Sequence, residues 1–328
     1  MQVYAQSRTS ANTFVGPSSS EQQNRRKARL MSILKEGLPT LPSYVLELNT
    51  LLSASSVDLK RVGKVIRNDP SLSAQVLRLC NSALFSLRRR VLSIEEAAVL
   101  MGSERLRTLV LTCAIMDFSG RQLPRGEIQT FWQHSFMSGM LSERIAKWLE
   151  YSEREQAYLG GLLHDIGTLP ILVVAKEENV LSGDTKSGPW GGTLEIEKDF
   201  FGMTHCEVGR WIGQAWNFFP SFIDVFENHH HPNRSIRDPH LVGIVSAADH
   251  FCEGHDVDAL DPSLEREAEQ LAETGPAFGD EFLSMCLPSL GAKDRSELTE
   301  MLETEYLHLL PVIEFNNPVE MPVGGTKS

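Results

Sequence analysis

The stretch Gly160-Gly161-Leu162-Leu163-His164-Asp165-Ile166-Gly167 places an imidazole and a carboxylate side by side at the end of an apolar run. An ionised carboxylate in apolar surroundings is costly unless positive charge lies beside it. A divalent metal would supply that charge, and a neutral imidazole next to a carboxylate is a good ligand pair for one. The same dipeptide also fits a helix C-terminus, with His near the last carbonyls and a solvated Asp. What shifts the balance is the supply of similar side chains downstream and upstream. His134, His164, Asp165, His205, His229, His230 and Asp249 each read as an imidazole or carboxylate near a helix end, flanked by apolar residues. Together they exceed what one ion needs and match what a pair of ions needs. Nitrogen and carboxylate oxygen without thiolate point to Fe, Mn, Zn or Ni, and a structural zinc site would favour Cys at short local spacing. Cys206 sits next to His205, so a ligand role is open to it, although the helix pattern around it suffices without one. Such a centre lowers the pKa of water and polarises a phosphoryl oxygen.

Ligands scattered over this much chain must be brought together by separate helices of a bundle. Ser152-Glu153-Arg154-Glu155 is a capping-box pattern and predicts a helix over 152–166, with Ala157, Leu159, Leu162 and Leu163 on its apolar face. Gly167 would let the chain turn away before the apolar segment Leu169–Val174. Helices are predicted over 129–149, carrying His134, over 204–218, carrying His205, and over 241–251, carrying Asp249. Another starts at Pro220 and runs into Asn228-His229-His230-His231-Pro232.

Upstream, short helices follow one another closely: 43–52, one capped by Ser56-Val57-Asp58, one opened by Pro70, one capped by Ser93 with Glu96, and one capped by Ser103 that is apolar from Leu106 to Phe118. Residues 182–193 are a Gly-rich insertion read as a surface loop. Helices are also expected over 263–273, 279–285 and 296–307, with a Pro/Gly-rich tail after Pro311. No alternation of period two occurs and no repeat is visible, so the fold class is all-α.

The bulk properties agree with a single large or two small domains in 328 residues, 41% hydrophobic and 23% charged. No apolar run reads as long enough to span a bilayer, and the Ser-rich start lacks a signal peptide, so a cytoplasmic location is expected and no membrane partner. Residues 1–24 have no periodicity and too little apolar surface to order themselves, and 25–35 read as a short basic helix. The five Cys show no CxxC spacing, and Cys80 and Cys113 read as reduced core residues. Charge is uneven: residues 1–130 carry 18 Lys and Arg against 10 Asp and Glu, and residues 131–328 carry 13 against 33. The acidic remainder argues against nucleic acid as a partner there, and Arg88-Arg89-Arg90 reads as a solvated loop or a contact for an anionic partner.

These motifs, in order, resemble the HDOD family, a non-standard branch of the HD-domain superfamily in bacterial signalling. The resemblance covers Leu38 to Phe251 and rests on Leu38-Pro39-Thr40-Leu41-Pro42, Asn68-Asp69-Pro70-Ser71-Leu72, Leu77 to Phe85, Leu92 to Ala97 with Leu100-Met101-Gly102, Phe131 to Ser135, Gly161 to Gly167, His205 to Gly209 with Trp216, His229 to Pro232, and Ala248-Asp249. It implies an HD-like helical bundle with an N-terminal lobe of short helices. The domain organisation expected is a tail at 1–36, an HDOD domain at 37–253 divided into lobes 37–126 and 127–253, and an acidic helical extension at 254–328. By resemblance to catalytic HD proteins, the HD-GYP phosphodiesterases among them, His134 matches the first ligand and His164 with Asp165 the HD pair. His205 matches the next, His229 and His230 the paired His, and Asp249 the last.

Three departures weigh against HD-GYP chemistry: Thr168 where a Lys follows the HD turn, Thr130 where some members have a ligand Glu, and His231-Pro232-Asn233-Arg234-Ser235 without the Gly-Tyr-Pro segment. Two functions follow from the resemblance. One is a signalling protein that acts through protein contacts and retains a metal site, with a signalling protein or a nucleotide as partner. The other is a metal-dependent phosphohydrolase on a nucleotide or phosphoester, in which Asp165 is the catalytic residue.

Overall fold

The structure is a computed structural model, and it describes residues 20–35, 47, 48, 50, 51, 57–68, 70–81, 91–178, 194–255 and 280–315. Among these residues every regular element is a helix and none is a strand, as the missing period-two pattern requires. The order is α1 (Ser20–Lys35), α2 (Leu59–Arg67), α3 (Pro70–Cys80), α4 (Ile94–Met101), α5 (Ser103–Gln122), α6 (Arg125–Trp148), α7 (Arg154–Leu163) and α8 (Thr168–Glu177). It continues with α9 (Leu194–Phe201), α10 (His205–Ala215), α11 (Pro220–Asn228), a 3-10 turn (Pro232–Arg234), α12 (Pro239–Gly254), α13 (Asp280–Cys286) and α14 (Ala292–Phe315).

Helices α2 to α5 pack on one another as one layer, and α5 leads through Leu123 and Pro124 into α6. The local signals act as read. Asp58 accepts the amide hydrogens of Lys60 and Arg61 at the start of α2, and Val62 and Ile66 of that helix are fully buried. Ser93 caps α4 by accepting the Glu96 N–H, and the Glu96 carboxylate takes the Leu92 N–H. The Asn81 side chain ends α3 by bridging to both backbone groups of Val91. Two caps differ from expectation. Gly102, with φ 84°, is the N-cap residue of α5, so Ser103 is the first residue of that helix and not its cap. At α7 the N-cap is Glu153 without a side-chain bond, so the Ser152–Glu155 box does not form and the helix starts at Arg154.

The second layer is the larger one. Helices α6 and α7 make the most extensive contact in the molecule, and α12 packs on both. The closeness comes from small side chains: Ser135, Ser138 and Ser142 of α6 are fully buried. A Cβ on Gly161 of α7 would come within 2.6 Å of the Ser138 carbonyl oxygen. Only glycine lets the two backbones approach this far.

Four expectations need correction. The helix at the N-terminus starts at Ser20 rather than 25, so residues 20–24 are ordered. It packs on α8 and α9 through buried Leu30, Ile33 and Leu34, with Arg26 over the Phe200 ring at 3.6 Å. Second, the stretch Arg154–Glu177 is long and apolar enough to cross a membrane by length and composition, against the reading that no such run exists. Its apolar character serves the core instead, since 94% of the window is buried. Third, Gly167 has an ordinary helical φ of −67°. Its role is close approach: a Cβ there would collide with the His205 carbonyl oxygen. Fourth, α14 runs past Pro311 to Phe315.

The acidic extension joins the same core. α13 packs on α12, and α14 packs along α6 with Leu298 and Leu302 fully buried. Arg144 of α6 pairs with Glu305 of α14 at 3.1 Å. The cysteines Cys80, Cys113, Cys206, Cys252 and Cys286 are all buried, and none forms a disulfide. The expected helix over 43–52, the Arg88–Arg90 run, the 182–193 insertion and the 263–273 helix lie wholly or largely outside the described residues, as do residues 1–19.

Candidate metal centre

All seven expected side chains meet between α6, α7, α10, α11 and α12. His134 comes from the middle of α6 and Asp249 from the second half of α12, so neither lies at a helix end as expected. His164 is the residue after α7 and Asp165 begins the tight turn to α8, held by the bond from the Thr168 N–H to the Asp165 carbonyl at 2.9 Å. His205 is the first residue of α10, whose start is fixed by a capping box between Thr204 and Glu207. His229 is the residue after α11, its carbonyl taking the Ser246 hydroxyl of α12, and His230 follows.

The donor atoms form two groups. In the first, His134 Nε2 and His164 Nε2 are 3.3 Å apart, and each is 3.1 Å from Asp249 Oδ1. Asp165 Oδ2 lies 3.5 Å from the His164 nitrogen and 3.9 Å from that of His134. In the second, His205 Nε2 lies 3.2 Å from His229 Nε2 and 3.1 Å from His230 Nε2. Asp165 Oδ1 is 3.3 Å from His205 Nε2 and 3.4 Å from His229 Nε2. Asp165 thus turns one oxygen to each group.

The outer nitrogens are already committed. His164 Nδ1 lies 2.6 Å from the Gly161 carbonyl, and His229 Nδ1 lies 3.0 Å from that of Val225. His205 Nδ1 lies 2.9 Å from both oxygens of Glu197, which also accepts the His205 N–H at 2.7 Å. Carbonyls and carboxylates only accept, so these Nδ1 atoms carry hydrogen and the Nε2 lone pairs face inward. This arrangement of an imidazole held from behind is the usual outer support of a metal ligand.

The lone pairs of His205 and His229, facing each other at 3.2 Å, need a proton or a metal ion between them. Asp165 Oδ1 is buried and accepts no hydrogen bond. A divalent ion in each group would satisfy these atoms at once, so the donor set fits the metal pair that the sequence suggests.

The charges are coupled in the same sense. Burial alone would raise Asp165 and Asp249, yet the surrounding histidines hold both carboxyls well below the usual range. Burial likewise opposes the charge on His164, but Asp165 and Asp249 raise it to about 9. His205 is raised in spite of its burial by Cys206, Glu197 and Asp165, whereas burial and the neighbouring His229 and His205 push His230 well down. Protons and a metal ion compete for these same inward atoms, so metal binding is coupled to proton release.

Two residues enter that sequence reasoning did not place. Glu197 on α9 supports His205 from behind. Its signal was faint, because a Glu eight residues before a His has no helical phase to flag it. Cys206, set aside above, has its Sγ 3.4 Å from His205 Nε2. Its neighbour relation to His205 was the available signal. Four sets of described donors could hold an ion: His205, Cys206, His229 and His230; His134, His164 and Asp165; His164, His229 and Asp249, which spans both groups; and His230, Asp249 and Glu253.

An all-helical bundle with converging His and Asp side chains defines the class as an HD-type fold. The HDOD domain model matches residues 38–232, and the chain belongs to the HDOD family. A protein of Treponema pallidum (strain Nichols) is 25% identical over 198 residues, which is 60% of this chain but 38% of that relative's length. Among solved structures, one from Shewanella amazonensis SB2B, provisionally named a phosphohydrolase, matches with a TM-score of 0.58 and 24% identity over 88% of this chain and 97% of that one. One from Marinobacter aquaeolei VT8, provisionally named a signal transduction protein, matches with a TM-score of 0.59 and 17% identity over 91% of this chain and 65% of that one. At these identities the solved structures establish the fold.

Proposed function

We propose that this protein is a signalling module of the HDOD type that acts through protein contacts and whose 127–253 lobe holds a pair of divalent ions. The observation that carries the metal reading is Asp165, whose two oxygens face two separate groups of inward-pointing donors. His134, His164, Asp165 and Asp249 would hold one ion, and Asp165, His205, His229 and His230 the other. The chemistry of the donors suits Fe, Mn, Zn or Ni. The signalling reading is supported by how closed the centre is: His164 and His229 are 1% exposed and Asp249 3%. Thr168, where a cation for substrate phosphate would stand, is itself buried. In the 37–126 lobe, Leu92 and Val99 are 75% and 72% exposed, apolar surface of the kind that protein contacts use.

A second reading, a metal-dependent phosphohydrolase on a nucleotide or phosphoester, is favoured by the bridging position of Asp165 and by the partial exposure of His134 and His230. When bound, two divalent ions would lower the pKa of water and polarise a phosphoryl oxygen. Asp165 would fix their separation, and the Gly161, Val225 and Glu197 acceptors would hold the imidazoles in register.

The test is metal analysis of freshly purified protein, followed by hydrolysis assays on cyclic and linear nucleotides for wild type and Asp165→Ala. Bound metal without turnover is the expected result. Turnover that Asp165→Ala abolishes replaces the signalling reading with the enzymatic one, and metal-free protein defeats both. Removing metal that is present at about 100 times its Kd removes ~2.7 kcal/mol of stability. For a domain near this size that lowers Tm by about 5–10 °C.

A further inference from the structure

We infer that Cys206 is a thiolate ligand of the second ion, so that the centre holds two chemically unlike metals. This rests on the metal reading above and assigns one of its two sites a ligand of its own.

The argument is geometric. An ion held tetrahedrally by three His and Cys206, to which Asp165 Oδ1 can add a fifth donor, has ligand-to-ligand edges of about 3.3 Å between nitrogens and about 3.6 Å between nitrogen and sulfur, for Zn–N of ~2.05 Å and Zn–S of ~2.3 Å. The observed edges around His205 Nε2 are 3.2 Å to His229, 3.1 Å to His230 and 3.4 Å to Cys206 Sγ. All four donor atoms lie within 4.8 Å of one another. Successive helix residues usually diverge, but His205 and Cys206 are the first two residues of α10. Side chains there tilt beyond the helix end and can converge in front of it. The capping box of Thr204 and Glu207 fixes that end. A second observation points to the same place: Asp165 Oδ1, buried and accepting no hydrogen bond, faces this group and not empty space.

The consequence is asymmetry. The first group offers only nitrogen and carboxylate oxygen, whereas the second adds a soft sulfur. Zinc or ferrous iron is favoured where Cys206 stands, and a harder ion such as manganese is tolerated at His134, His164 and Asp249. Binding at the second site exchanges the thiol proton for the ion and releases that proton to solvent.

The probe is Co(II), titrated into metal-depleted full-length protein and followed by absorbance and by bound cobalt per chain. Wild type should bind two ions, one of them producing a near-ultraviolet sulfur-to-cobalt charge-transfer band. In Cys206→Ser the band should vanish, and one ion should bind at least about tenfold more weakly, the loss that even outer partners of a ligand cost. His134→Ala should keep the band and His230→Ala should lose it, which places the sulfur without relying on how the Cys206 variant folds. Cobalt bound by wild type without a band overturns the inference and leaves the metal centre standing. A band that survives in Cys206→Ser also overturns it. Wild type that binds no cobalt overturns the metal reading itself.

Discussion

Asp224 offers the sharpest test of how the second half of the centre is held. It lies in α11 and is 4% exposed, and its carboxylate organises the chain between His230 and α12. Oδ2 accepts the Ser235 hydroxyl at 2.8 Å and the Arg237 N–H at 2.7 Å, with the Ile236 and Asp238 N–H groups both at 3.2 Å. Oδ1 accepts the Asn228 amide at 2.8 Å. In Asp224→Ala these donors lose a charged acceptor. Ile236 and Arg237 are exposed, so water recovers part of the loss. Counting only the two short bonds to Oδ2, at ~1.5 kcal/mol each for a charged acceptor, gives about 3 kcal/mol. That corresponds to a fall in Tm of about 6–12 °C at neutral pH, measured by thermal denaturation followed by circular dichroism.

The pH dependence has a definite sign. Burial alone would raise the Asp224 carboxyl, but the bonds from Arg237, Ser235, Asp238 and Asn228 hold it below its ordinary value. A depressed carboxyl stabilises the fold above its unfolded pKa, about 3.9, and loses that contribution as pH falls through the folded one. The gap between wild type and Asp224→Asn should therefore stay constant from pH 8 to pH 5 and narrow below about pH 4. An Asp224→Ala protein melting within ~2 °C of wild type at pH 7, or a gap that does not narrow in acid, would refute the reasoning.

Two further predictions concern how the helices are brought together. Gly161→Ala forces a methyl against the Ser138 carbonyl and the Ser142 hydroxyl, so urea denaturation should show a loss of about 1–3 kcal/mol. Its metal affinity should also fall, because His164 moves with α7; unchanged stability would mean that α6 and α7 are not in contact this close. Leu302→Ala on α14 should cost about 2–5 kcal/mol, since Leu302 is fully buried and α14 packs along α6. A variant as stable as wild type would mean that the acidic extension is an independent appendage.

Much of the fold was legible because it is written in local rules. Asp58 and Ser93 cap helices where their side chains permit, and Pro70 and Pro220 open helices, as a residue without an N–H can. Two such signals failed for a local reason as well. Ser152 and Ser103 have the capping residue type, but the N-cap positions fall on Glu153 and Gly102, one residue away in each case. The apolar stretch Arg154–Glu177 misled in another way: hydropathy along a chain does not tell a core helix pair from a membrane segment. Only the neighbours decide that.

The residue types His134, His164, Asp165, His205, His229, His230 and Asp249 and the helices that carry them follow from the one-dimensional pattern, because periodicity and caps act over a few residues. What belongs to three dimensions is the meeting of α6, α7, α10, α11 and α12. That meeting puts the two oxygens of Asp165 between separate donor groups, brings Glu197 behind His205 and turns Cys206 toward it. Close packing at Gly161 and Gly167 lets the helices that carry these side chains come together. Sequence spacing does not carry that approach, since backbone separation in space depends on which side chains are absent between two helices.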